Sequence, residues 1–309
     1  MRLSCRFVLL GIALGLVPGV FGQIDTATIT GRVTDSTGAV IAGAQITVTS
    51  AETQFKSTAQ TNSEGLYRIQ SLLPGNYQVS CESPGFKKAV ESGISLHVGD
   101  VLPVDLVLQV GATTESVEVN AQATLLESET STVGTLTEGD TLYKLNLYQR
   151  YITNTLSIVP GVTNSTQGGT NGLSAFYVAG QRNTGTATFE DGVFANDPVA
   201  SNLLVIKPIM NSVDEVKVLT GTLTAEYGHS SGGVITTVKK SGTNEFHGAV
   251  SDYGRTRIMT HRQFFNLYTT AQPQFGNANG VQAWFMMPDG NGGGPVIIPK
   301  VYNGKNRTF

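Results

Sequence analysis

Residues 211–250 decide the fold, and they read NSVDEVKVLTGTLTAEYGHSSGGVITTVKKSGTNEFHGAV. Residues 213–220 and 234–238 are rich in β-branched side chains, which favour strands. Residues 241–244 are a polar turn sequence, and a third β-type run follows at residues 245–255. Three successive strands with glycine-rich breaks are therefore predicted, and they indicate a mainly β protein.

The composition of the whole chain fits the same class. The chain has 309 residues, of which 36 are Gly and only 14% are charged. Such a composition is typical of β structure with many turns. The formal net charge is -3, and the Lys and Arg residues are scattered along the sequence. Because no basic face is indicated, we predict no nucleic-acid partner.

Residues 1–22 are predicted to be a secretory signal peptide. Arg2 and Arg6 precede an apolar run at residues 7–17, and small residues follow up to Gly22. An uncut membrane anchor is the alternative, but the apolar run is short for a bilayer. After cleavage Cys81 would be the remaining cysteine, which excludes an intramolecular disulfide and a cysteine-ligated structural zinc site.

Residues 23–110 alternate β-branched runs with turns and predict a small β-sandwich of about seven short strands. The runs lie at residues 28–33, 44–49, 55–61, 67–69, 76–81 and 101–110. The phrases GRVTD (31–35), GAQITV (43–48), TNSEGLY (61–67) and LPGNY (73–77) resemble the carboxypeptidase regulatory-like domain. That resemblance implies a transthyretin-like, carbohydrate-binding-like sandwich and no peptidase activity.

A metal site is not predicted. A zinc peptidase needs histidines and a glutamate at short spacing, and none of the four histidines begins a His-x-x-Glu pattern. His97 and Asp100 have that spacing with aspartate, but they precede a predicted strand. We therefore predict no metal and no cofactor.

The central stretch carries a longer motif, which includes AEYG (225–228), GGVI (232–235), SGTN (241–244) and FHG (246–248). This order resembles the end of the plug domain in TonB-dependent outer-membrane receptors, and in particular the Oar-like receptors. The resemblance implies an α+β plug over residues 131–244. It also selects a set of plug motif residues, which are Gln181, Arg182, Asp191, Gly192, Glu226, Tyr227, Gly228, Gly232 and Gly233.

Two further segments support the plug prediction. Apolar residues at positions 145, 148, 152, 156 and 159 have helical spacing, and Pro160 and Gly161 end the predicted helix. The phrases FYVAGQRN (176–183) and FEDGV (189–193) resemble the next plug hairpin. Arg182 is either a pore-facing contact or, more simply, a turn residue that is solvated or paired with Glu190 or Asp191.

Residues 111–130 are predicted to be a linker. Within it, one five-residue segment resembles a TonB box, which pairs with the periplasmic protein TonB by adding a strand to its sheet. The segment consists of Glu115, Ser116, Val117, Glu118 and Val119. The alternative is that it forms the last strand of the preceding sandwich.

Residues 245–309 are interpreted as the start of a truncated transmembrane β-barrel. Alternation places Phe246 and Val250 on a lipid side and His247 on a lumen side, and Asp252 suggests that the strand leaves the bilayer there. A plugged barrel of this family has about 22 strands, of which this chain offers at most two. The chain is therefore expected to be a fragment.

Two short motifs resemble those of other protein classes. Residues 228–232 read GHSSG and fit the nucleophile elbow of serine hydrolases, but a β-type run follows where the elbow needs a helix. Residues 289–292 read DGNG, as in a calcium loop, but the expected downstream glutamate is missing, so a polar loop is predicted. We predict no enzymatic activity.

The resulting prediction is the N-terminal part of a TonB-dependent receptor. Its sandwich would be periplasmic, and its plug would gate uptake of an unknown extracellular ligand, of saccharide or peptide class, through a barrel in outer-membrane lipid. TonB would supply the energy. The alternative is a secreted or surface module for carbohydrate binding or adhesion, in which the sandwich does the work.

Overall fold

A computed structural model of the chain describes residues 26–111, 116–120, 132–145, 152–165, 175–196, 208–224, 227–228, 230–256 and 284–309. The predicted signal peptide lies outside these residues. Glu115 and Glu226, two of the candidate site residues, lie outside them as well.

The N-terminal unit is a sandwich of two β-sheets. In the first sheet β1 (Ala27–Asp35) is central, and it pairs with β4 (Leu66–Leu72), β7 (Val101–Pro103) and β8 (Leu106–Leu108). The second sheet has the order β3 (Lys56–Gln60), β2 (Gln45–Ser50), β5 (Gly75–Glu82), β6 (Lys88–Leu96) and β9 (Ser116–Asn120). Alternate residues of β2 and β5 are buried, as expected for strands that cover one core. Ile29 from the first sheet and Ile46 and Val79 from the second are fully buried in that core.

The strand prediction for this unit missed β6 and joined two strands that are separate. The sequence of β6 is interrupted by Glu91, Ser92 and Gly93, and its pairing with β5 shifts register at that point. Gly93 has a φ of 80°, so the interruption is a bulge that hides the period-two pattern. Residues 101–110 form β7 and β8 because the chain bends between them, where the Asp105 carboxylate accepts a hydrogen bond from the Arg32 N–H.

The second unit is a mixed sheet with short helices on it. The sheet has the order β10 (Val133–Glu138), β15 (Val213–Gly221), β16 (Gly233–Lys239), β13 (Thr186–Glu190) and β14 (Val193–Phe194). β13 and β16 are parallel, and the other pairs are antiparallel. The helices are Gly139–Lys144 and Ile152–Thr155, and the second continues as a 3-10 turn over Leu156–Ile158. β15 and β16 confirm the strands predicted at residues 213–220 and 234–238.

The helix predicted before Pro160 is present but short. Ile152, Leu156 and Val159 are buried against the sheet, as their spacing predicted. Gly161, with a φ of 80°, follows the end of the turn and redirects the chain. Tyr148, a further member of the predicted apolar face, lies outside the described residues.

The predicted hairpin of residues 176–183 and 189–193 is wrong in its pairing. β12 (Ala175–Val178) pairs with β11 (Val162–Ser165), while β13 pairs in parallel with β16. The turn at Asp191 and Gly192 instead connects β13 to the two-residue strand β14. Local pattern shows that each segment is a strand, but the partner is chosen by the surrounding sheet.

The C-terminal region contains a long hairpin. β17 (His247–Thr256) and β18 (Trp284–Gly293) pair antiparallel along ten residues each. β17 therefore continues past Asp252, the residue at which the sequence suggests that the strand leaves the bilayer. Residues 289–292, predicted to be a polar loop, belong to β18. A smaller pair, β19 (Ile297–Ile298) and β20 (Tyr302–Asn303), follows.

No helix within the described ranges is long and apolar enough to cross a membrane.

Candidate functional site

Two motif glycines lie beneath a turn, where Gly232 precedes β16 and Gly233 is its first residue. The Gly232 N–H donates to the Gly185 carbonyl at 2.9 Å. A Cβ at Gly232 would lie 2.8 Å from Gln181 Cβ, and a Cβ at Gly233 would overlap the buried Val178 side chain. The structure therefore brings Gln181, Gly232 and Gly233 together, and it needs glycine there because the turn approaches the strand closely.

Asp191 and Gly192 form a tight turn between β13 and β14. Their φ angles are 48° and 76°, which suits the Asp-Gly pair of a two-residue hairpin turn. The Asp191 carboxylate accepts a hydrogen bond from the Lys239 N–H at 2.8 Å. The Lys239 ammonium lies 2.6 Å from Glu190 Oε1, and this close contact with the buried Glu190 is the main cause that raises the pKa of Lys239. This part of the plug motif thus fixes the edge of the sheet.

Tyr227 anchors the segment before β16 through aromatic packing. Its ring meets Phe189 edge-on, with centroids 5.8 Å apart, and Phe189 meets Phe194 in the same way at 5.7 Å. Gly228, next in the motif, is exposed beside Tyr227. Arg182 is also exposed, and the carboxylates proposed as its partners, Glu190 and Asp191, pair with Lys239 instead.

The serine of the GHSSG sequence does not lie at a nucleophile elbow. Ser230 Oγ lies 3.0 Å from the Gly185 carbonyl oxygen and 2.5 Å from that of Gly233. The next element is strand β16 and not a helix. The hydroxyl therefore holds the turn in place, which agrees with the sequence interpretation.

A polar cluster joins the sandwich to the plug sheet. The His97 ring Nδ1 lies 2.9 Å from Glu215 Oε2, and the Val98 N–H donates to Glu215 Oε1 at 2.6 Å. The Lys217 ammonium lies 2.9 Å from Asp100 Oδ1. We call His97, Asp100, Glu215 and Lys217 the interdomain cluster. The main-chain N–H of His97 donates to Asp100 Oδ2 at 2.9 Å. Both oxygens of the Asp100 carboxylate therefore have a partner.

The interdomain cluster lies between two cavities. One cavity, of about 530 Å³, is lined by Asp100 and Lys217 together with Arg68, Phe189 and other residues. The second, of about 400 Å³, is lined by His97 and Glu215. The polar cluster therefore contributes direct contacts between the two units.

Sequence reasoning singled out His97 and Asp100 only as a weak metal pair, and it missed Glu215 and Lys217. A signal was present in β15, where these two charged residues share a face with the buried Leu219. Charges on a buried face of a central strand indicate a partner. Among the described residues, no group of three or more His, Cys, Asp or Glu side chains is arranged to hold a metal ion.

The TonB-box candidate is a strand of the sandwich along most of its length. Ser116–Asn120 forms β9, which pairs in parallel with β6. β9 is the last strand in its sheet order. This placement is the alternative that the sequence left open, and it also leaves the segment extended at a sheet edge.

Comparison with known proteins gives a class to both units. Residues 28–109 match the carboxypeptidase regulatory-like domain, and residues 144–234 match the TonB-dependent receptor plug domain. The chain thus contains a carboxypeptidase regulatory-like domain that is followed by a TonB-dependent receptor plug domain. More particularly, it is 28% identical over 248 residues to the TonB-dependent transporter Oar of Myxococcus xanthus.

The chain spans only part of that relative. The similarity covers 77% of this chain and 23% of Oar. Among solved structures, the siderophore receptor PirA from Acinetobacter baumannii shares 21% identity over 39% of this chain and 19% of its own, with a TM-score of 0.33. Hydroxyquinol 1,2-dioxygenase from Pseudomonas putida shares 13% sequence identity over 31% of this chain and 58% of its own, with a TM-score of 0.24. At these TM-scores neither structural likeness carries an argument.

Proposed function

We propose that this chain supplies the plug and an adjoining periplasmic domain of a TonB-dependent outer-membrane transporter. The plug would close the lumen of a β-barrel, of which β17 and β18 would be the first strands. Force transmitted by TonB would then rearrange the plug so that an extracellular ligand, of saccharide or peptide class, passes. The observation that carries the proposal is the plug domain over residues 144–234.

The contact with TonB is proposed to be made by Glu115, Ser116, Val117, Glu118 and Val119. β-Strand addition requires an extended segment with a backbone edge available for pairing. Support comes from β9, which is extended and has β6 on one side only in the sheet order. TonB would add to the other side of β9 or replace its pairing with β6.

The buried charges at the joint favour this reading over an independent adhesion module. Glu215 is 5% exposed and Asp100 is 8% exposed, and each has its partner in the other unit. A sandwich that worked alone would not require a plug strand to neutralise its aspartate. In the proposed transporter, by contrast, the sandwich and the plug act together.

A photo-crosslinker at position 117 tests the location of the TonB contact. With the purified periplasmic domain of TonB, the chain should give a crosslinked product, because the label lies in the proposed pairing segment. The matched control carries the label at Thr58, an exposed position of β3 at the opposite edge of the same sheet. Equal crosslinking from both positions, or none from position 117, would contradict the proposed contact.

A further inference from the structure

The contact between the sandwich and the plug combines two kinds of charge pair. Lys217 and Asp100 have side chains that are 15% and 8% exposed, and the Lys217 ammonium also donates to the Val98 carbonyl at 2.8 Å. This pair joins an ammonium group to a carboxylate. Glu215 instead pairs with an imidazole, the side chain whose charge changes most readily between about pH 5 and about pH 8. The joint therefore contains a histidine pair that can be titrated beside a lysine–aspartate pair.

Glu215 contacts the sandwich through both of its carboxylate oxygens. One carboxylate oxygen accepts the Val98 N–H at 2.6 Å, and the other lies 2.9 Å from the His97 ring. The sandwich loop from His97 to Asp100 thus binds the Glu215 side chain through the Val98 main-chain N–H and the His97 ring. β15 is an inner strand of the plug sheet, between β10 and β16. Movement of the sandwich would therefore act directly on the middle of the plug.

We propose that the interdomain cluster is a pH-dependent latch, which holds the sandwich tightly against β15 while His97 is protonated and less tightly when His97 is neutral. This proposal concerns the joint between the two units and does not depend on TonB binding. The latch would not open fully at high pH, because the pair of Lys217 and Asp100 and the Val98 hydrogen bond remain.

The surroundings of His97 favour its charged form. The hydrogen bond to Glu215 raises the pKa of His97 above its ordinary value, the charges of Glu215 and Asp100 act in the same direction, and burial and Lys217 oppose them. The cavity beside His97 is also lined by further charged or titratable residues, which are Glu52, Glu138, Asp140, Asp214, Lys240 and His247. Four of these six side chains are carboxylates, and two are basic.

The direction of the pH effect follows from linkage. A group whose pKa is higher in the docked state binds its proton more tightly there. Its stabilising contribution is complete below the pKa of the undocked histidine, and it is lost as the pH rises through the docked value. Docking is therefore tightest at mildly acidic pH and weakens toward mildly alkaline pH.

Amide hydrogen exchange at Val98 measures the latch directly, because this N–H is bonded to Glu215 across the joint. Exchange reports opening even when the open state is rare. We expect the protection factor of Val98 to fall by about threefold to tenfold from about pH 5.5 to about pH 8.5, since charge-assisted hydrogen bonds are roughly twice as strong as neutral ones. In His97→Gln the protection factor should be independent of pH.

Two controls separate the latch from other effects. His247 is an exposed histidine whose ring nitrogen contacts Thr243, so His247→Gln should keep the pH dependence of Val98. Val48 and Val218 lie in inner strands of the two units, and their protection should not follow that of Val98. The latch is refuted if Val98 protection does not change with pH in the natural chain. It is equally refuted if His97→Gln retains the change, or if the core amides change in parallel.

Discussion

Replacing Gly233 with alanine should destabilise the plug sheet by about 3 kcal/mol. The added Cβ would overlap Val178 and would lie 2.7 Å from the Leu219 carbonyl oxygen. Val178 is fully buried, and Leu219 belongs to the neighbouring inner strand β15, so neither can move without disturbing the core. The overlap should outweigh the usual small gain from replacing glycine by alanine.

Gly254→Ala is the matched control for this prediction. Gly254 also lies in a strand, but nothing comes within 4 Å of a Cβ built there. The free energy of unfolding of the Gly254→Ala variant should differ from that of the natural chain by no more than about 0.5 kcal/mol. Urea unfolding, followed by a probe in the plug sheet, gives both values. Similar midpoints for the two variants would show that the Gly232–Gly233 segment is not tightly packed.

Replacing Lys217 with alanine should lower the free energy of unfolding by about 3 kcal/mol, because the buried Asp100 carboxylate loses its cationic partner. Asp100 is 8% exposed, and Lys217 is its cationic partner at 2.9 Å. Lys240→Ala is the control, since Lys240 lies 3.5 Å from Asp140, which is 75% exposed. Such surface pairs contribute roughly 0–1 kcal/mol. Denaturant unfolding of both variants, followed by a probe in each unit, compares the two decreases in the free energy of unfolding.

A double-mutant cycle shows whether the loss comes from the pair itself. Asp100→Ala removes the carboxylate, so adding Lys217→Ala to it should cost much less than Lys217→Ala alone. The coupling energy should exceed about 1 kcal/mol. If Lys217→Ala destabilises no more than Lys240→Ala, or if the two replacements are additive, then the pair does not hold the joint.

Much of the fold follows from local pattern, and what does not follow has physical causes. β15 and β16 were predictable because their β-branched residues are continuous. β6 was missed because a bulge at Ser92 and Gly93 breaks its alternation. The partner of β12 was wrong because pairing depends on the whole sheet, and a strand sequence alone does not specify it.

The candidate site, like the fold, was predictable from the sequence only in part. The resemblance to the plug domain selected Gly232 and Gly233. The reason that glycine is needed there is the close approach of Gln181 and Val178, which only the three-dimensional structure shows. The interdomain cluster could not be derived from spacing, because His97 and Glu215 are 118 positions apart. Charged residues on the buried face of β15 were the available sign, and they indicate that a partner exists without saying which residue it is.

The central claim, that this chain works with TonB, is tested most directly by calorimetric titration of the purified periplasmic domain of TonB into the chain. The account predicts saturable binding of one TonB domain per chain. Val117→Pro should weaken it by at least about tenfold, because proline removes a strand donor, whereas Thr124→Pro, outside the pairing segment, should not. Absence of binding, or binding that Val117→Pro leaves unchanged, would contradict the account.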